Sequence, residues 1–259
     1  MSITSAPPYV EQSGQGAPMV FIHGSFANTA TWRKIVTRLA PHRHCIAINL
    51  PGHGGTADPG DFAAPDINTE LALIERVVTE LTDQPIHLVG HSYGGVVALA
   101  QALKGNLPLS ALTLFEPVAA WVLDAVGDPR ARDVAQFVAG YRRDSAAEVA
   151  DAWGQVLEFW GGPGAFDALP EHVRPALSKL ARNNLRHWDI CTRGDYDADA
   201  ITRLAVPTRV VWGSESHPAA QAIGHHLHRL IPDSRQAVIE GASHFMVTSH
   251  PVACAELLT

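Results

Sequence analysis

The chain has 259 residues, of which 46% are hydrophobic, and a formal net charge of -7. This length can bury the core of one globular domain with room for an insertion, and the negative charge without a long run of Lys or Arg disfavours nucleic acid and anionic lipid as partners. No apolar run approaches the roughly 20 residues of a membrane-spanning helix, and the opening MSITSAPPYV lacks a signal-peptide pattern, so we expect a cytoplasmic protein.

Short apolar runs alternate along the chain with longer segments of helical period. Because most of the runs are apolar throughout, they favour an α/β fold with a mostly parallel central sheet and helices on both faces. An antiparallel hairpin remnant in YVEQSGQGAP precedes them. The predicted strands are Met19–Gly24, Cys45–Leu50, Ile86–Gly90, Leu112–Glu116, Thr208–Gly213 and Gln236–Gly241. The predicted helices are Ala30–Ala40, Asn68–Thr82, Tyr93–Leu103, Ala219–Leu230 and Pro251–Leu258.

The alternation stops between Val118 and about Thr202, where no strand-like run occurs and helices are joined by turns such as GGPG. We interpret residues 118–202 as an inserted helical lid, or cap, and residues 1–117 with 203–259 as the core. A large share of the aromatic residues lies in this lid, where packing in the lid's own core is the alternative to substrate contact. The candidate substrate-binding residues are Trp121, Trp153, Trp160, Trp188 and, outside the lid, Phe245.

The stretch GHSYGG places Ser92 between glycines where an apolar strand gives way to a helix. A G-x-S-x-G pattern at such a corner is typical of a nucleophile elbow, in which the strained turn exposes the serine hydroxyl. The N–H of Tyr93 then lies at the start of the following helix, where it can stabilise developing negative charge as part of an oxyanion hole.

A serine hydroxyl needs a general base, and His244 in IEGASHFMVT follows the last predicted strand, where it can reach the same edge of the sheet. A second oxyanion donor is expected from the loop after the first long strand. Ser25, which follows His23-Gly24, is the preferred donor, and Phe26 is the alternative.

The motifs HGSF, NLPGHGGT, GHSYGG, VVWG and GASHF, in this order, resemble the α/β-hydrolase superfamily over nearly the whole chain. The resemblance implies a serine hydrolase in which Ser92 is the nucleophile, His244 is the base and a covalent acyl-enzyme is formed. Many members carry an acid three residues after the glycine of WG, but Ser216 occupies that position here. We therefore prefer Glu215 as the acid and keep Glu116, at the end of the preceding strand, as the alternative.

An aromatic lid over a nucleophile elbow favours a small to medium apolar carboxylic ester as substrate. The alternatives are a carbon–carbon bond hydrolase or a cofactor-free perhydrolase of the same fold, and a non-catalytic ligand-binding member. Arg182 and Arg186, four residues apart on a predicted lid helix, either grip a substrate carboxylate or face water. We expect no cofactor and no metal, and we interpret the three cysteines, which form no CxxC pair, as reduced core residues.

Overall fold

The computed structural model describes residues 7–194 and 198–259. Within these residues, seven strands and the helices around them build the predicted α/β fold. The strands are β1 (Val10–Ser13), β2 (Ala17–Ile22), β3 (Arg43–Ile48), β4 (Ile86–His91), β5 (Leu109–Phe115), β6 (Thr208–Gly213) and β7 (Ser234–Ile239). The helices are α1 (Arg33–Leu39), α2 (Asn68–Leu81), α3 (Tyr93–Lys104), α4 (Trp121–Ala125), α5 (Arg130–Ala146), α6 (Gly154–Gly161), α7 (Arg174–Ser178), α8 (Ala181–Thr192), α9 (Ala198–Thr202), α10 (Pro218–Leu230), α11 (Met246–Ser249) and α12 (Pro251–Glu256), with 3-10 helices at Thr29–Trp32 and Glu171–Val173.

The strands form one sheet in the order β1-β3-β2-β4-β5-β6-β7. Strands β2 to β7 pair in parallel, whereas β1 pairs antiparallel with β3 and therefore joins the sheet edge instead of forming a hairpin with β2. Successive side chains of a strand point to opposite faces. Accordingly, Val20 and Ile22 pack into the core cluster that includes α2, α3 and α10, while Met19 and Phe21 pack with α1 and α12.

The topology places two loops next to each other at one edge of the sheet. From β2 the chain crosses to β3 on one side, and it then returns to β4 on the other side of β2. The carboxyl ends of β2 and β4 therefore flank a topological switch point, which is where open α/β sheets bind their ligands. The loop after β2 holds Gly24 and Ser25, and the loop after β4 holds Ser92.

Helices α4 to α9 all lie between β5 and β6, in the segment that we call the helical segment (residues 118–202). Its residues 195–197, like residues 1–6 of the expected core, lie outside the described part of the chain.

Arg182 and Arg186, the two arginines of the helical segment, have different surroundings. Arg186 is buried, and its guanidinium donates to Asp61 and Glu70 at 2.5 Å each, so it joins α8 to the core and neither faces water nor meets a substrate carboxylate. Arg182 is exposed and stacks over the ring of Phe62 at 3.8 Å. Spacing alone could not distinguish them, because their partners are remote in sequence.

The three cysteines are free and buried. None of the helices within residues 7–194 and 198–259 combines the length and the apolar character needed to cross a membrane.

Candidate active site

Ser92 stands at the corner between β4 and α3. Its backbone lies at φ 56° and ψ -122°, a left-handed conformation that costs a non-glycine residue about 1–3 kcal/mol. The neighbouring glycines make the corner possible, because a Cβ on Gly90 would collide with the backbone of Gly94, and a Cβ on Gly94 would collide with the carbonyl oxygen of Ile22. The strained corner places Ser92 in the wall of a cavity at this edge of the sheet.

His244 lies beside Ser92, although 152 residues separate them in sequence. Its Nε2 is 3.0 Å from the Ser92 Oγ, and the residue is 5% exposed. The turn after β7 carries this histidine to the same edge as the loop after β4. The structure thus brings the predicted nucleophile and the predicted base into hydrogen-bond distance.

The carboxylate that contacts His244 belongs to Glu116, directly after β5. Its Oε2 lies 2.7 Å from the His244 Nδ1. Glu215, the acid preferred from the sequence, is exposed. The preference for Glu215 is therefore corrected, because the carboxylate beside His244 is that of the alternative, Glu116. The physical reason is the turn after β6, which directs Glu215 outward and Ser216 inward.

Two groups in addition to the ring of His244 hold the Glu116 carboxylate. Its Oε1 accepts the Gly213 N–H at 2.9 Å and also the hydroxyl of Ser216, the residue that stands where an acid was expected. The backbone of Glu116 is left-handed as well, with φ 40°. Positive φ at a non-glycine residue marks a conformation that its surroundings enforce, in agreement with a fixed carboxylate.

The electrostatics of this cluster favour an ionised carboxylate. Burial alone would raise the pKa of Glu116, but the hydrogen bonds from His244, Ser216 and the Gly213 amide outweigh burial and lower that pKa below its ordinary value. An ionised Glu116 holds the proton on the His244 Nδ1, which leaves Nε2 free to accept the proton of Ser92.

His91 contacts both the backbone and the ring of His244. Its Nε2 donates to the His244 backbone carbonyl at 2.8 Å, and the two ring centroids are 5.0 Å apart. Burial, together with the nearby His244, lowers the pKa of His91 to about 3, so this histidine is neutral. Its place before the serine gave no signal of this contact.

The loop after β2 approaches Ser92 closely because Gly24 has no side chain. A Cβ on Gly24 would lie 2.8 Å from the Ser92 Cβ. The three candidate oxyanion donors, Ser25, Phe26 and Tyr93, all line the same cavity as Ser92, and Phe26 has a left-handed φ of 57°.

The cavity measures about 700 Å³, and side chains of the helical segment form much of its wall. Trp160, Trp188 and Phe245 line it, and the ring of Trp160 stacks against His244 with centroids 5.6 Å apart. Trp121 and Trp153 do not line it, so the structure does not place them where substrate contact was expected: both are buried in the hydrophobic cluster that joins the helical segment to the sheet. Further apolar lining residues are Val118, Val156, Leu157, Leu169 and Leu177.

His187 also lines the cavity, and the sequence gave no reason to choose it among 14 histidines. It lies on the face of α8 that carries Asn184, Trp188 and Cys191, all of which line the cavity at helical spacing. In the described ranges 7–194 and 198–259, no three His, Cys, Asp or Glu side chains are grouped so that they could hold a metal ion.

Comparison with known proteins shows the family of the chain. A model described as the Alpha/beta hydrolase family matches residues 19–257. A pimeloyl-acyl-carrier protein methyl ester esterase from Aeromonas hydrophila is 27% identical over 265 residues, covering 96% of each chain. The protein of that name from Methylococcus capsulatus is 28% identical over 262 residues, again covering 96% of each. Among solved structures, an esterase from Exiguobacterium antarcticum has a TM-score of 0.76 at 23% identity and covers 97% of this chain and 93% of its own. The predicted fold and the predicted enzyme class, a carboxylic ester hydrolase, are thereby confirmed.

Proposed function

The chain belongs to the alpha/beta hydrolase family, and on this premise we propose that it hydrolyses a carboxylic ester through an acyl-enzyme on Ser92. The observation that carries the proposal is the continuous series of contacts from Ser92 through His244 to Glu116, at 3.0 and 2.7 Å. These distances suit proton transfer from the hydroxyl to a base whose other nitrogen is held by a carboxylate.

In the first half of the reaction, the Ser92 Oγ attacks the ester carbonyl carbon, and its proton passes to the His244 Nε2. The resulting imidazolium is stabilised by Glu116 and gives the proton to the departing alcohol as the carbon–oxygen bond breaks. In the second half, His244 takes a proton from water, the hydroxide attacks the acyl carbon, and Ser92 leaves with its proton restored.

The negative oxygen of each tetrahedral intermediate needs fixed donors. The N–H of Tyr93, at the start of α3, and the N–H of Ser25, in the loop after β2, are the proposed oxyanion hole. Each such donor typically contributes about 3–4 kcal/mol to the stability of the transition state. The close approach of Gly24 to Ser92 supports this assignment, because it brings the loop to the reacting centre.

The substrate proposal follows from the cavity. We propose that residues 118–202 act as a lid whose apolar side chains receive the acyl chain, since these residues form much of a wall around about 700 Å³. A volume of this size fits an acyl chain of medium length. The curated relatives are named for the methyl ester of a pimeloyl chain on a carrier protein. We propose by extension a small alkyl ester of a medium-length acyl chain.

A non-catalytic binding role is less well supported. A chain without catalytic activity needs no acid behind the histidine, whereas Glu116 has both a buried position and a short contact with His244. Burying an ionised carboxylate is unfavourable unless the charge is paired. Ligand binding alone gives no reason for such a carboxylate behind the histidine, whereas activation of the histidine as a base does.

The test is hydrolysis of p-nitrophenyl acetate, butyrate, octanoate and palmitate, followed by methyl octanoate. We expect turnover that peaks at butyrate or octanoate and falls at least about 10⁴-fold in Ser92→Ala. Ser234→Ala is the matched control, because Ser234 also contacts a histidine, His228 at 2.9 Å, but neither residue lines the cavity. Equal turnover in Ser92→Ala and wild type would refute the proposal.

A further inference from the structure

His187 contacts both of the residues proposed to supply the oxyanion hole. Its Nδ1 is 2.7 Å from the Ser25 Oγ, across 162 residues of sequence. Its ring also stacks on the ring of Tyr93, with centroids 3.7 Å apart and planes inclined by 10°. One side chain from the helical segment therefore touches the loop after β2 and the first residue of α3.

A second ring packs on His187. The ring of His53 stacks on it with centroids 5.4 Å apart, and His53 in turn packs against His23 at 5.1 Å. His23 fixes the loop that it begins, because its Nδ1 donates to the Gly24 carbonyl and its Nε2 accepts the Leu50 N–H. His187 thus packs on Tyr93 and on a histidine that belongs to the core.

The cluster is uncharged. Burial, and then the neighbouring His53, Arg186 and His23, lower the pKa of His187 well below its ordinary value. Burial likewise lowers the pKa of His53 to about 4 and that of His23 to about 3. A neutral imidazole at this place adds no charge beside the reacting carbonyl, but it has a nitrogen that hydrogen-bonds Ser25.

We propose that His187 is a positioning residue that fixes the amides of Ser25 and Tyr93 toward the substrate carbonyl and so makes the oxyanion hole depend on the docked helical segment. The proposal rests on the proposed function, since those amides matter to rate only if Ser92 forms a tetrahedral intermediate. An apolar aromatic side chain could pack on Tyr93 equally well. The hydrogen bond to Ser25, in contrast, needs a polar atom at the place of Nδ1.

Two substitutions separate the stack from the hydrogen bond. His187→Phe keeps an aromatic ring against Tyr93 and loses the contact with Ser25. His187→Asn keeps a hydrogen-bonding group near the place of Nδ1 and loses the stack. Ser25→Ala removes the hydroxyl at the other end and leaves the backbone amide in place.

The measurements are kcat and KM on p-nitrophenyl butyrate and inhibition by a butyl boronic acid, which mimics the tetrahedral intermediate. We expect His187→Phe to lower kcat about 10- to 100-fold and to weaken the boronic acid in parallel, with KM nearly unchanged, because misplaced donors reduce transition-state stabilisation alone. His187→Asn should recover most of that kcat. Adding Ser25→Ala to His187→Phe should cause little further loss, because both remove the same contact.

His228→Phe is the matched control, since His228 contacts Ser234 at 2.9 Å outside the cavity lining and should keep kcat. Wild-type kcat in a folded His187→Phe, or a rise in KM alone, would overturn the positioning role. Failure of the proposed function has a different signature, because Ser92→Ala would then retain hydrolysis whatever His187 does. If His187→Phe does not fold, the Ser25→Ala variant tests the same contact, and an unchanged kcat in it refutes the proposal.

Discussion

Glu116→Gln is the substitution whose effect the geometry predicts most closely. Glutamine has nearly the shape of glutamate, so an acceptor oxygen remains for the Gly213 N–H and the Ser216 hydroxyl. What is lost is the negative charge 2.7 Å from the His244 Nδ1. Without it, nothing stabilises the imidazolium, and the amide can donate to Nδ1 and thereby favour the unproductive tautomer.

The expected loss is large. Replacing the triad acid by its amide in a serine protease lowers kcat on the order of 10⁴-fold, which is about 5.4 kcal/mol in activation free energy. Glu116 resembles that case in being fully buried and in contacting Nδ1 directly. The free energy of unfolding should change far less than the activation free energy, because both donors to Oε1 keep a partner.

The assay is kcat for p-nitrophenyl butyrate, with urea unfolding to verify that Glu116→Gln is folded. Glu215→Gln is the control, since Glu215 is exposed and its backbone N–H donates to the Ala242 carbonyl in the loop that carries His244. We expect the control to keep kcat within about twofold. Similar losses in both variants, or a larger loss in Glu215→Gln, would refute the role assigned to Glu116.

Three further results are expected. Arg186→Met should lower the free energy of unfolding in urea by about 3–5 kcal/mol, because it leaves two carboxylates without their cation, whereas Arg182→Met should cost less than about 1 kcal/mol; equal costs would contradict the ion-pair account. His53 is one of several buried histidines, with His23 and His91, that are neutral in the fold and protonate below about pH 6.5 when unfolded, so the free energy of unfolding in urea should fall as the pH is lowered from about 6 to 5; each such histidine contributes at most about 1.4 kcal/mol per pH unit, and His53→Gln should reduce the slope by about that amount. Trp160→Leu should shift the preference among p-nitrophenyl esters toward longer chains, because the cavity wall beside His244 recedes, and an unchanged chain-length profile would place the acyl chain elsewhere.

The fold and the pair at the centre of the site could be predicted because their signals are local. Apolar runs of strand length predict strands, and the glycines around Ser92 predict a tight turn, each from a few neighbouring residues. His244 followed from its place after the last strand, since parallel strands end at one edge of the sheet. Local patterns and the order of the elements are therefore enough to predict the fold, Ser92 and His244.

The acid and the substrate contacts depend on side-chain direction, which no short pattern determines. Glu215 and Ser216 are adjacent in sequence, and the path of one turn decides that Ser216 faces Glu116 while Glu215 faces water. The same holds for the tryptophans: Trp160 and Trp153 both lie in or beside α6, yet Trp160 lines the cavity and Trp153 packs on Phe166. Packing between distant elements makes these choices.

The proposed mechanism requires the oxygen of Ser92 to be a nucleophile that His244 activates. Treatment with a fluorophosphonate, followed by peptide mass spectrometry, tests it directly, because the reagent phosphonylates an activated serine. We predict one adduct on the peptide that contains Ser92, with labelling slowed by orders of magnitude in His244→Ala. An adduct on another serine, or labelling at the wild-type rate in His244→Ala, would show that Ser92 is not a nucleophile activated by His244.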